Sequence, residues 1–301
     1  MTAPFIGDAL GPRGRRTARV FSLVSAVVIV ALVVVAVSRL SAKGQLDRDK
    51  WEPFTRWSVQ HFLLKGLRAT IEAAVVSMAG AIVVGALMAL ARLSRTAPVR
   101  WLAAAYVEFF RGVPLILLIF FCALGLPAYG VRLSVFQYLV LGLVIYNGAV
   151  LGEIFRAGIL SLDRGQSEAA FSLGMTYWQT MLLVVIPQAA RRMIPAIVSQ
   201  LVTLLKDTSL GAAIAFFELL RSARVNGEFF HNPLQSLVVV ALMYIVVNFT
   251  LSRLARRLEV RQRRRFGAGT ISVTGVEDLA VIGAQGEAAV AGAGSGVAIS
   301  A

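Results

Sequence analysis

A chain of 301 residues with 57% hydrophobic and 15% charged side chains is poor in charge against the roughly 25% of soluble domains. With a mean hydropathy of +0.75, this excludes an ordinary soluble enzyme and points to a protein that crosses a membrane several times. The formal net charge of +14 does not mark a nucleic-acid binder, because no basic region stands free of an apolar run.

In chain order, Arg13, Arg15, Arg16 and Arg19 precede the first apolar run, 20–38, which carries no charge. That run is long enough to be a span, since a bilayer core needs about 20 apolar residues in helix, and too long for the core of a cleavable leader. Span two is expected over about 68–91, with Glu72 near its start, and span three over about 102–125, containing Glu108 and Arg111. Span four is expected over about 134–157, ending at Glu153 and Arg156. Span five begins near 181 and is expected to be broken by Pro187, Arg191, Arg192, Pro195, Lys206 and Asp207; span six covers about 234–252. The predicted fold class is therefore an all-α integral membrane protein with six transmembrane helices.

Six spans put both termini on one side. Arg253, Arg256, Arg257, Arg261, Arg263, Arg264 and Arg265 follow the last span as the first cluster precedes span one, so both ends are expected in the cytoplasm. The basic segment "RLSRTAPVR" at 92–100 then also falls inside. The mixed charges of 39–66 work against this orientation without reversing it. Beyond residue 266 the chain is rich in Gly, Ala and Ser with no sustained helical period, and 261–301 reads as a disordered cytoplasmic tail.

Charged groups within spans are costly and face a bundle interior or a watery cavity. "EFFR" sets Glu108 three residues before Arg111, and "EIFR" sets Glu153 three before Arg156. Positions i and i+3 share a helix face, so each pair is expected to neutralise itself locally, in the cytoplasmic half. Such pairs are either structural or part of the substrate pathway. "LLKDTSLG" places Lys206, Asp207, Thr208 and Ser209 after a long apolar face. Interrupted spans with clustered polar groups build transport sites, whereas the plainer alternative is a helix end capped by Asp207 or Thr208. Tyr146 and Asn147 of "YNG" are weaker pathway candidates, and the Gly148 beside them suits close helix packing.

No phosphate-binding G-x-x-x-x-G-K-[ST] motif is present, and no Ser-His-Asp set or metal spacing is visible: one cysteine, Cys122, and two distant histidines, His61 and His231, give little material for either. Neither catalysis nor a metal or cofactor is assigned to this chain, and uphill transport would need a partner or a coupled ion. Between spans four and five lies "GQSEAAFSLGMTYWQTMLLVVIPQ", 165–188. Gln166 or Ser167 is expected to cap a short helix with Glu168 in its first turn, Ala169 and Ala170 favour the helix, and Gly174 permits a sharp turn before a second helix enters span five.

The spacing of Glu168, Ala169, Ala170, Gly174, Val184, Ile186 and Pro187 resembles the EAA signature of ABC importer permease subunits. The region 65–260 resembles the polar amino acid branch through "EFFRGVPL", "YNGAVLGEIFRAGILSLDRGQSEAA", "IPQAARRMIPA" and "LLKDTSLG". "GPRGRR" and "AKGQLDRDKWEPF" around span one are similar to bacterial glutamate-uptake permeases. The resemblance implies a basic N-terminus at 1–19, an extra span and external loop at 20–64, a five-helix permease core at 65–260 and a coupling loop at 161–187. It further implies two ATPase subunits that bind ATP and magnesium, a homologous second permease, and an extracytoplasmic solute-binding protein delivering a polar amino acid, glutamate first. In this picture Glu168, Ala169, Ala170, Gly174 and Pro187 couple to the ATPase and no residue of this chain does chemistry. An ion-coupled secondary transporter is the alternative, although no inverted repeat is visible.

Overall fold

The computed structural model describes residues 11–266, which are helical with no strand among them. Helix α1, Pro12–Ala42, is uncharged over 20–38, and its large hydrophobic residues there stay exposed. A turn at Arg48–Trp51 and Glu52–Thr55 leads into α2, Trp57–Arg92, which starts well before the expected 68. Helix α3 is Ala97–Gly112, α4 is Leu115–Ala128 and α5 is Val135–Leu160. A short helix α6, Arg164–Ser172, precedes the long rod α7, Tyr177–Ile214; α8, Leu219–Phe229, and α9, Pro233–Phe266, close the chain. Five of these helices are long and apolar enough to cross a membrane, and a sixth crossing arises if α3 and α4 are counted together. Of the disordered tail expected over 261–301, the part 261–266 instead continues α9; 267–301 and the first ten residues lie outside the described residues.

Two expectations about the spans need correction. Span three is not one helix: α3 and α4 meet at 103°. Pro114 lacks an N–H and disfavours helical geometry in the residue before it, and Val113 is extended at φ −79°, ψ 131°. Span five, in contrast, is not broken. Pro187 follows a π-helical turn, Met181–Val185, and the rod continues through Pro195 to Asp207 and on to Ile214. A proline ring collides with the carbonyl four residues earlier in a regular helix, and the wider π turn accommodates it. Helix α4 does the same, with the π turn Phe121–Gly125 ending two residues before Pro127.

The core forms where α2 lies along α5, with α7, α8 and α9 packed around them. Small residues allow the approach: a Cβ on Gly148 would stand 2.7 Å from Val84 Cγ1, so the packing role expected of this glycine is what the structure shows. A Cβ on Gly85 would come within 2.8 Å of Leu151 Cβ and 3.0 Å of the Gly152 backbone nitrogen, neither of which can swing away. Gly85→Val is therefore expected to cost about 1–3 kcal/mol through overpacking, read as a lower midpoint of thermal unfolding in detergent. Gly112→Ala, at a site with nothing within 4 Å, serves as the control and should leave the midpoint unchanged.

Candidate functional site

The EAA segment folds into a helix and turn at the end of the bundle where α5 gives way to α7. The cap is Asp163, whose Oδ1 accepts from the Gly165 N–H at 2.9 Å. The helix thus starts earlier than the sequence suggested, and Glu168 lies in its second turn rather than its first. Glu168 and Ala169 are exposed and Ala170 is buried. Gly174 terminates α6 at φ +80°, with its N–H donating to Phe171 O at 2.9 Å and the Met175 N–H to Ala170 O at 3.2 Å, a left-handed closure that favours glycine. Thr176 then caps the next helix, accepting from the Gln179 N–H while the Gln179 side chain accepts from the Thr176 N–H.

This unit is tied to the rod. Gln188 Nε2, next to Pro187, donates to Gln166 Oε1 at 3.2 Å, and Arg192 Nη1 donates to Ser161 O at 2.8 Å. Arg95, in the turn between α2 and α3, stands 5.2 Å from the Tyr177 ring centroid. The outer side of the unit presents Phe171, Leu173 (83% exposed) and Trp178 beside Glu168.

Close to this end, Glu153 of α5 is the hub of an ion cluster. Arg156 donates to it through Nη2 at 2.6 Å and Nε at 3.2 Å, and Arg92 of α2 donates to its Oε2. The expected Glu153–Arg156 pair is formed. The expected Glu108–Arg111 pair is not: the only cation within 4 Å of Glu108 among the described residues is Arg92, at 3.9 Å, and Arg111 makes no ion pair there. Shared helix face made the pair possible, but the packing of α2 against α3 brings Arg92 closer.

About 10 Å further along α5, at 1.5 Å per residue, a cavity of ≈ 430 Å³ opens between α4, α5 and α7. It is lined by Leu115, Ile116, Tyr146, Val150, Gln200, Thr203, Asp207 and Leu210. The bend at Pro114 sets the first turn of α4 there. Of the residues picked from the sequence, Tyr146 and Asp207 line it, and Asn147 lies buried behind, its Oδ1 accepting from Gln200 Nε2 at 2.7 Å. Lys206 is exposed and outside the lining. Thr208 is buried, with its hydroxyl donating to Leu205 O at 2.7 Å, and neither it nor Ser209 lines the cavity. Neither Asp207 nor Thr208 forms the anticipated cap: Asp207 at the junction makes no side-chain capping bond. Glu108, Arg111, Glu153 and Arg156 are not brought into this cavity. Gln200 and Thr203 were missed from the sequence; their i, i+3 spacing from one another and, at i+7, from Asp207 was the available signal.

Glu218 was also missed. It is fully buried and caps α8, accepting from the Leu220 and Arg221 N–H groups at 2.8 and 2.7 Å and from the Tyr244 hydroxyl of α9 at 2.9 Å. Burial pushes its carboxyl above the usual range, opposed by those donors. Thr70 of α2 accepts from the Leu219 N–H at 3.1 Å, so one knot joins α2, α8 and α9.

The chain matches the family described as "Binding-protein-dependent transport system inner membrane component" over residues 81–264. It is 42% identical over 231 residues to the glutamate transport system permease protein GluD of Corynebacterium glutamicum, a match covering 75% of this chain and 84% of that one. It is 41% identical over 214 residues to the probable glutamine ABC transporter permease protein GlnP of Bacillus subtilis, covering 68% and 97%. Among solved structures, the crystal structure of an amino acid ABC transporter with histidines superposes with a TM-score of 0.63 at 31% identity, covering 68% of this chain and 94% of that one.

Proposed function

Because the chain belongs to the family of binding-protein-dependent transport system inner membrane components, we propose that it is one transmembrane half of an ATP-driven importer carrying a polar amino acid, glutamate first, into the cell. The name of the Corynebacterium relative supports glutamate. Six spans result when α3 and α4 cross as one bent unit, with both termini and the α6 end of the bundle in the cytoplasm. The placement of the 92–97 turn, α6 and the start of α7 at one end, linked through Arg95 and Tyr177, supports that arrangement. The partners are two ATPase subunits, which hold ATP and magnesium, a homologous second permease and an extracytoplasmic solute-binding protein. An ion-coupled secondary transporter finds no support among the family and its relatives.

One observation carries this reading. The exposed group Glu168, Phe171 and Leu173 sits on a short helix whose C-terminal exit is closed by Gly174 and whose flank is bonded to α7. A push on that group is delivered to the rod that lines the cavity. Glu168, Ala169, Ala170 and Gly174 are the ATPase contact in this reading, with Pro187 at the junction to the rod. Tyr146 and Asp207 belong to the pathway, with Asn147 holding Gln200 in it. Glu108, Arg111, Glu153 and Arg156 brace the cytoplasmic corner, while Lys206, Thr208 and Ser209 shape the rod around Asp207.

The test is site-directed crosslinking. With the single cysteine replaced (Cys122→Ser), Leu173→Cys is expected to crosslink to a cysteine in the ATPase groove, and the yield should change on adding ATP. Absence of any crosslink in an assembled, transporting complex sinks this assignment.

A further inference from the structure

We propose that Arg95 is a positioning residue of the transport cycle: its guanidinium, seated over the Tyr177 ring, ties the helix-and-turn unit around α6 to the end of α2. A push on α6 then moves α2 as well as the rod. The proposal rests on the reading of the chain as the transmembrane half of an ATP-driven importer and adds a second path for the force.

The need for a second tie comes from the joint between α6 and the rod. Met181–Val185 is a π turn, in which the Ile186 N–H reaches back to Met181 O. Pro187 follows and has no N–H to give. Helices bend where the regular ladder is interrupted in this way, so a load applied at Phe171 and Leu173 turns the unit about this joint unless something holds it. On the rod side the holding contact is one exposed amide bond, from Gln188 Nε2 to Gln166 Oε1 at 3.2 Å. On the other side it is Tyr177, in the short helix just before the π turn, whose ring centroid lies 5.2 Å from Arg95 Cζ.

Arg95 stands on firm ground. Its turn is stiffened by its own polar groups: Ser94 Oγ lies 2.8 Å from Thr96 Oγ1 and accepts from the Thr96 N–H at 3.2 Å, while Arg100 Nη1 donates to Ser94 O at 3.3 Å. Three residues earlier, Arg92 donates to Glu153 and pins the end of α2 to α5. The Arg95 guanidinium makes no ion pair and the Tyr177 hydroxyl no hydrogen bond among the described residues, so the face of the ring is what the cation meets. A cation within about 6 Å of an aromatic centroid is attracted by the ring quadrupole, and a planar guanidinium can also stack on it. The topology separates this contact from Arg253 over Phe249, at 4.3 Å, which joins two residues of one helix and ties nothing together. Arg95 and Tyr177 come from opposite ends of the bundle's sequence and meet only where the α2–α3 turn faces the start of α7.

Two measurements on the assembled complex in proteoliposomes test this. The first is the amount of L-glutamate taken up per ATP hydrolysed, with binding protein saturating. Arg95→Ala and Tyr177→Leu are each expected to lower this ratio about two- to fivefold. Arg95→Lys should keep more of it than Arg95→Ala, and Tyr177→Phe, which retains the ring, should match the unaltered complex. The double variant Arg95→Ala, Tyr177→Leu is expected to be no worse than either single one, because both remove the same contact. The second measurement is hydrogen exchange of the backbone over 177–180, which should quicken in Arg95→Ala and Tyr177→Leu and stay unchanged in Tyr177→Phe. The proposal is overturned by an unchanged ratio in Arg95→Ala, by Tyr177→Phe proving as damaging as Tyr177→Leu, or by losses that multiply in the double variant. Faster exchange with an unchanged ratio overturns it too, since the contact is then structural only. If the unaltered complex moves no amino acid, the permease reading fails instead, while exchange still reports whether Arg95 holds Tyr177.

Discussion

Glu153→Gln is expected to lower the stability of the bundle more than any other single charge removal in the spans. Glu153 accepts from both Arg92 and Arg156, whose side chains are only 15% and 28% exposed. Neutralising the hub leaves two guanidinium groups facing each other across the α2–α5 contact with no anion closer than Glu108. Removing one partner of a buried ion pair costs about 3–5 kcal/mol. Residual exposure of about a quarter for Glu153 itself screens part of this, so about 2–3 kcal/mol is expected. Thermal unfolding of the detergent-purified chain measures it. Glu108→Gln is the internal comparison: that side chain is 68% exposed and 3.9 Å from Arg92, and its loss should cost about 0–1 kcal/mol. Equal unfolding midpoints for Glu153→Gln and the unaltered chain would remove the hub from the account.

That cluster also shows how far sequence carried. The Glu153–Arg156 pair was legible because both residues lie on one helix, where spacing alone fixes proximity. Glu108 was assigned to Arg111 by the same rule, and the rule could not see Arg92, which arrives from another helix. The apolar runs located the membrane helices, since hydropathy reports burial in lipid directly. The prolines misled in both directions. Pro114 bends the chain by 103° because Val113 before it leaves the helix and Gly112 ends it, whereas Pro187 follows a π turn and Pro195 sits within a helix that buries Ala189, Met193 and Leu204 in the core. A proline's local penalty is the same in each case; tertiary contacts decide whether the helix survives it. Glu218 was illegible for a related reason. "FFELLRSAR" reads as an ordinary amphipathic helix start, and only the meeting of α8 with Thr70 and Tyr244 buries its cap.

Gly174→Val is expected to reduce ATP-driven uptake by about 10- to 100-fold while leaving insertion, assembly and unfolding midpoint close to those of the unaltered protein. At φ +80° a β-branched side chain is strained, at about 1–3 kcal/mol for a residue held in this region. The chain relieves that strain by giving up the turn, and with it the bonds from the Gly174 and Met175 N–H groups back to Phe171 and Ala170. Space is not the obstacle, since nothing lies within 4 Å of a Cβ there; the backbone conformation is. Loss of the turn redirects Phe171 and Leu173 and slackens the link from α6 to the Thr176 cap and the rod. Each 1.4 kcal/mol of misplaced coupling is worth a factor of ten in rate, which sets the range. Gly174→Asn is the discriminating variant, because asparagine adopts the left-handed region far more readily and should retain most transport. If Val and Asn lower uptake equally, side-chain bulk at this position is responsible rather than turn geometry. If neither lowers it, α6 does not transmit the force, and the exposed Glu168–Leu173 surface has some other use.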